Sequence, residues 1–158
     1  MNRLLTRKEG EHEMNHNQIK LTFFSLPENI STARLLVASV GSQLDLSLND
    51  LEELKVAVSE AVSNAIIHGY RNVPENIVHL EMEIGKNQLK IIVNDQGCGI
   101  PDVEQAMQPA FSTDPERMGL GFVFMQSFMD ELEVTSVINH GTTITMVKYL
   151  NQTTSSSH

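Results

Sequence analysis

Asp95 stands where a strand-like run, LKIIVN (89–94), gives way to DQGCGIPD, with Gly97 and Gly99 close behind it. A carboxylate held at such a point can accept a hydrogen bond from an exocyclic amine, such as that of adenine. Glycines there permit positive φ and let a ligand come close to the backbone. Further on, FSTDPERMGLGF (111–122) leads from a loop with Ser, Thr and Arg through Gly119 and Gly121 into a helix-like segment. A helix N-terminus with free N–H groups attracts anions, and glycines let phosphate oxygens approach. The segment matches neither standard glycine-rich phosphate motif. Each stretch taken singly also reads as an ordinary turn or helix cap.

A third stretch, VAVSEAVSNAII (56–67), carries Glu60 as its only charge and Asn64 four residues later. On a helix the two side chains lie one turn apart on one face, away from Val58 and Val62. They form either a polar stripe facing solvent or one wall of a site. Ala57 and Ala61 keep that side slim enough for something to approach. A fourth stretch, HGTTIT (140–145), turns at Gly141 and starts a strand at Thr142. Threonine on a strand is commonplace by itself. The six His residues show no metal-ligand spacing with Cys or carboxylates. His68, at a helix end, fits the dipole and cap. Cys98 has no evident His partner and reads as a small filler between the glycines.

Elements must hold these residues in place. IKLTFFSL (19–26) reads as a strand closed by Pro27. ISTARLLVASVGSQL reads as a helix capped by Asn29 or Ser31, with Gly41 near its end. A longer helix starts at a capping Ser47 or Asn49. Leu51, Leu54, Val58, Ala61, Val62 and Ala65 recur along it at helical spacing, and Gly69 stops it. The period then drops to 2. IVHLEMEI (77–84) and LKIIVN form a hairpin across a turn at GKNQ. A helix follows from about Leu120 to Leu132, and LEVTSVI and TTITMVKY form a second hairpin across NHG. This order predicts an α+β fold: a two-layer sandwich with helices on one face of a mixed, mainly antiparallel sheet.

The 158 residues suffice for one domain with a real core. Expected boundaries are a disordered lead at 1–16, in which Met14 is an alternative start, a domain at 17–150 and a polar tail at 151–158. The net charge of −9 argues against direct binding to nucleic acid or an anionic membrane. No apolar run is long enough to span a bilayer, and the first residues lack a signal-peptide core. The single Cys98 excludes an internal disulfide framework and fits a cytoplasmic location.

The ordered set is more specific than its parts. E-x-x-x-N on a helix, a strand running into DxGxG, GLGF opening a helix and a late GTT strand resemble the GHKL superfamily of ATP-binding domains. The resemblance covers about residues 18–149. Within that superfamily SEAVSNAIIHGY, DQGCGIPD, FSTDPERMGLGF and SFMDELEV are similar to the anti-sigma F factors of endospore-forming bacteria, which are serine kinases. The anti-sigma kinases of the general stress response, or a nucleotide-gated binding module without phosphotransfer, are the alternatives.

By that resemblance the cofactors are ATP and Mg²⁺, with Asn64 holding the metal and Glu60 orienting or deprotonating the attacking hydroxyl. It implies that Asp95, flanked by Gly97 and Gly99, binds adenine, with Thr142 near the base. Thr113, Arg117, Gly119 and Gly121 would belong to a lid over the phosphates. Arg34 would grip both a sigma factor and an anti-anti-sigma substrate, and a homodimer is implied. The lid departs from the family pattern: Asp114 stands where a lysine is usual, and the segment is about two residues short.

Overall fold

The computed structural model describes residues 17–109 and 119–151. The expectations for the lead, the lid residues Thr113, Asp114 and Arg117, and the tail beyond Asn151 lie outside the described residues. Five strands, β1 (Asn17–Phe24), β2 (Ile77–Ile84), β3 (Gln88–Asp95), β4 (Glu131–Val137) and β5 (Gly141–Tyr149), form one sheet in the order β1-β2-β3-β5-β4. Every adjacent pair is antiparallel, so the described sheet has no parallel pair where a mixed sheet was expected. Four helices, α1 (Glu28–Gly41), α2 (Leu48–Asn64), α3 (Val103–Ala106) and α4 (Gly119–Phe128), complete the α+β fold.

Alternation decides which face of the sheet is covered. Val78, Leu80, Met82 and Ile84 of β2 and Leu89, Ile91 and Val93 of β3 are buried against Ala33 and Val37 of α1, Leu54, Val58 and Val62 of α2, and Phe122 and Met125 of α4. The other face is polar and paired. Lys20 meets Glu81, Lys90 meets Glu83 at 3.3 Å, and Asn94 donates to Thr143 at 2.7 Å. In the helical layer α2 lies between α1 and α4 and packs on both.

α2 begins at Ser47, whose hydroxyl accepts from the Asp50 N–H while the Ser47 N–H donates to the Asp50 carboxylate, a reciprocal capping box. Asn49, the other candidate cap, instead bonds Glu53. At α1 neither expected residue caps. Pro27 holds the cap position without a side-chain bond, and Asn29 donates back to the Phe24 carbonyl at 2.9 Å. A buried ammonium ties the far end together: Lys148 Nζ lies 3.4 Å from both Asp50 and Glu53 and donates to the Phe128 carbonyl at 2.8 Å. α4 therefore ends at Phe128, short of the expected Leu132, because Glu131 already pairs in β4. α3 was not anticipated from the pattern; Asp102 caps it through the Gln105 N–H.

Candidate functional site

Regular α-helix runs through Glu60 to Asn64 and then widens. Ala65–Gly69 form a π-helical turn, closed by the Tyr70 N–H on the Ala65 carbonyl at 2.9 Å. Such widened turns are rare and concentrate at functional sites. This one carries the end of α2 against the loop after β3. The Cys98 N–H donates to the Gly69 carbonyl at 2.9 Å, and a Cβ on Gly97 would lie 2.1 Å from that same oxygen. Gly97 is thus needed for backbone to meet backbone, where the sequence suggested room for a ligand. Gly99, with φ +75°, likewise faces the Val137 carbonyl of β4.

A cleft opens beside this junction, lined by Asn64, His68, Asp95, Ile100, Phe122 and Thr142 among others. Its empty space, about 290 Å³, is counted out into the solvent at its mouth. Asp95 is 5 % exposed, and its Oδ1 accepts the Gly97 N–H at 2.9 Å. Burial pushes its pKa up, against the opposing pull of backbone N–H groups of Gly97 and Thr142. Thr142 pairs with Asp95 across β3 and β5. Its hydroxyl sits 2.9 Å from Ser136 Oγ, which also accepts the Ile100 N–H. A buried carboxylate with apolar neighbours and an open side suits a flat, amine-bearing ring.

Asn64 reaches this cleft and Glu60 does not. Glu60 faces a second groove, between α1 and α2, lined by Arg34, Glu52, Lys55, Val56 and Ser59. Gly121 of α4 stands against both: a Cβ there would lie 2.9 Å from Glu60 Oε2 and 3.5 Å from the Asn64 amide atoms. Gly119 opens the same helix. Glu60 is half-buried, and burial raises its pKa. Ala57 and Ala61 prove to be fully buried core residues, so no approach runs along them.

The Asn64 Nδ2 atom is buried with no hydrogen-bond partner among the described residues. Which amide atom is oxygen is an assignment, so the orphaned position can equally present a carbonyl oxygen to a hard cation. The described residues contain no cluster of three or more His, Cys, Asp or Glu able to hold a metal. Mg²⁺ carried by nucleotide phosphates takes only one or two protein ligands, and the orphaned amide could supply one. The orphaned amide and the buried carboxylate therefore have the chemistry that would hold a magnesium nucleotide. Tyr70 and Ser136, which bond the backbone around the cleft, were not singled out in the sequence. His68 was expected only at the helix dipole, and it also lines the cleft.

The model of the histidine kinase-like ATPase domain family matches residues 23–148. The solved RsbU and RsbW domains of a Mycobacterium tuberculosis protein share the fold, with a TM-score of 0.60 at 17% identity over 84% of this chain and 31% of that one. A blue-light activated histidine kinase from Erythrobacter litoralis aligns at 26% identity with a TM-score of 0.51, over 69% of this chain and 33% of its own. Fold and site thus define an ATP-binding domain of the GHKL class. The chain is 45% identical over 138 residues to the anti-sigma F factor of Anoxybacillus flavithermus, covering 86% of this chain and 94% of that protein. It is 47% identical to those of Geobacillus kaustophilus and Clostridium novyi, covering 85% and 87% of this chain and 93% and 97% of theirs. The chain belongs to the anti-sigma F factor family of histidine kinase-like ATPases. Among the described residues no helix is long and apolar enough to cross a membrane.

Proposed function

We propose that the protein binds and inhibits a sporulation sigma factor and, with MgATP, phosphorylates a serine of the sigma factor's anti-anti-sigma antagonist. One observation carries the catalytic half: Glu60 stands one turn from Asn64, half-desolvated, against the backbone of Gly121. Pure nucleotide binding requires no carboxylate there.

Bound MgATP supplies the phosphoryl donor and the charge neutralisation. Asp95 would hold the base, Asn64 the metal, and the N-terminal end of α4 would lie toward the phosphates. Glu60 would take the proton of the serine hydroxyl as that oxygen accepts the γ-phosphoryl group, with ADP as the leaving group. Its raised pKa suits proton uptake, because a carboxylate in a drier setting is a stronger base. The groove on the far side of Glu60 gives the serine a way in that does not cross the nucleotide cleft. Arg34 is exposed on α1 at that groove; in this proposal it is the anchor for both protein partners, and the homodimer is what the family resemblance implies.

The test is incubation of the protein with labelled ATP, Mg²⁺ and the candidate antagonist. Phosphoserine on the antagonist is the expected product. Nucleotide binding without any transfer would leave a nucleotide-gated binding module instead.

A further inference from the structure

We propose that Tyr70 is the positioning residue of the base cleft, its hydroxyl standing in for the last rung between β2 and β3 and thereby setting where Asp95 lies. The ladder between these strands ends with Val78 opposite Asp95. Continued by one residue, it would pair Ile77 with Gln96 directly. Instead the Tyr70 hydroxyl donates to the Ile77 carbonyl and accepts the Gln96 N–H at 2.7 Å. The two strands are parted there by one oxygen atom, so β3 leaves the sheet immediately after Asp95.

The neighbouring residue completes the hold. Gly69 accepts the Cys98 N–H, so two consecutive residues at the end of the π-helical turn grip the loop at positions 96 and 98. Between those grips Gly97 turns its N–H onto Asp95 Oδ1 at 2.9 Å, which orients the carboxylate. The same turn leads back within one stretch, 65–70, to Asn64. The tyrosine ring is buried, so its tip has little freedom to wander. A phenylalanine would keep the ring and remove the bridge. The strand ends would then either close on each other or leave two part-buried backbone groups unpaired, and Asp95 would move in both cases.

The inference rests on Asp95 accepting the adenine amine. It is tested by titrating ATP and ITP, which differ in the 6-amino against the 6-oxo group and in the proton that the latter puts on N1, in Mg²⁺ against wild type, Tyr70→Phe and Asp95→Asn. Tyr70→Phe is expected to weaken ATP about tenfold while changing ITP less than twofold, the loss of roughly one well-aligned hydrogen bond. A merely structural tyrosine would weaken both nucleotides alike; equal losses, or none, overturn the assignment. Asp95→Asn separates the two levels. If it too leaves the ATP-to-ITP ratio of the wild type, the base-cleft reading falls and this inference with it. If it collapses the ratio while Tyr70→Phe does not, only the role of Tyr70 is wrong. Should Tyr70→Phe prove unfolded at the assay temperature, amide exchange on the wild type decides. The Gln96 N–H is expected to be protected as strongly as that of Val93 in the ladder, and exchange at the unprotected rate overturns the bridge.

Discussion

Two carboxylates in the same molecule are pushed toward protonation by burial, and the proposed reaction puts them to opposite uses. In the proposed reaction Glu60 accepts a proton during transfer, whereas Asp95 stays charged to hold an amine. Glu60→Gln removes the base and keeps the shape, so phosphoryl transfer is expected to fall by about 10²–10⁴ while ATP affinity stays within about twofold. Parallel loss of both in a binding titration and a phosphotransfer assay would remove Glu60 from the chemistry. For Asp95 the raised pKa has a consequence for stability. A carboxyl that binds its proton more tightly when folded contributes stability below its unfolded pKa, and loses it as pH rises through the folded value. At neutral pH the buried charge therefore weighs against the nucleotide-free fold. Asp95→Asn is expected to raise the melting temperature of the nucleotide-free protein at pH 7 and weaken ATP at the same time. The thermal gain should vanish as the pH falls below the ordinary carboxylate range, which melts at a series of pH values would show.

α4 meets α2 through a glycine, and that contact couples helix packing to chemistry. Alanine at 121 is a better helix former than glycine by about 1 kcal/mol. Its Cβ would press on the end of a flexible side chain, Glu60, which can give way. Gly121→Ala is thus expected to melt no lower than wild type yet transfer phosphate about 100-fold more slowly, the effect of displacing a reacting group by about an ångström. A melting curve and a turnover assay on one preparation check both halves. The elements themselves were largely legible in the sequence. The β2–β3 hairpin follows from strict alternation, and the start of α2 is narrowed to a cap at Ser47 or Asn49, of which Ser47 caps. Boundaries failed where tertiary contacts override local signals. α4 stops at Phe128 because Asp130 and Glu131 are claimed by β5, through the Tyr149 N–H and the ladder. The π-helical turn has no sequence signature, since Ala65–Gly69 would continue an ordinary helix. Of the site residues, Asn64, Asp95 and Thr142 converge on one cleft. Glu60, one turn from Asn64, also borders the groove shared with Arg34, a placement that depends on where α1 and α4 pack.

At the scale of the molecule, the nucleotide cleft sits at one end of the sheet and the Lys148 knot holds the other. Lys148 is buried among two carboxylates and a helix-end carbonyl, so removing it strands three acceptors at once. Because the carboxylates are partly exposed, Lys148→Ala is expected to cost about 2 kcal/mol, below the range for a fully buried pair. Denaturant unfolding measures it, and a loss within error of zero would show the knot to be ornamental. Asp50 adds a pH signature. Its bonds to Ser47, then the Lys148 charge, hold its pKa below the usual range. That contribution is present above the unfolded pKa and fades as acid protonates the folded carboxylate.

The order in which strands meet has a kinetic consequence. β2–β3 and β4–β5 are hairpins between neighbours in the chain, which close quickly. The cleft belongs to neither, because its floor is the β3–β5 junction, where Asn94 and Thr142 are 48 positions apart. Closing that long loop comes late on the way to the native state. A chain crossing its folding barrier therefore has no finished place for ATP. Added nucleotide is expected to slow unfolding and leave the refolding rate unchanged, so the bound molecule acts as a clasp on a finished fold and not as a template for it.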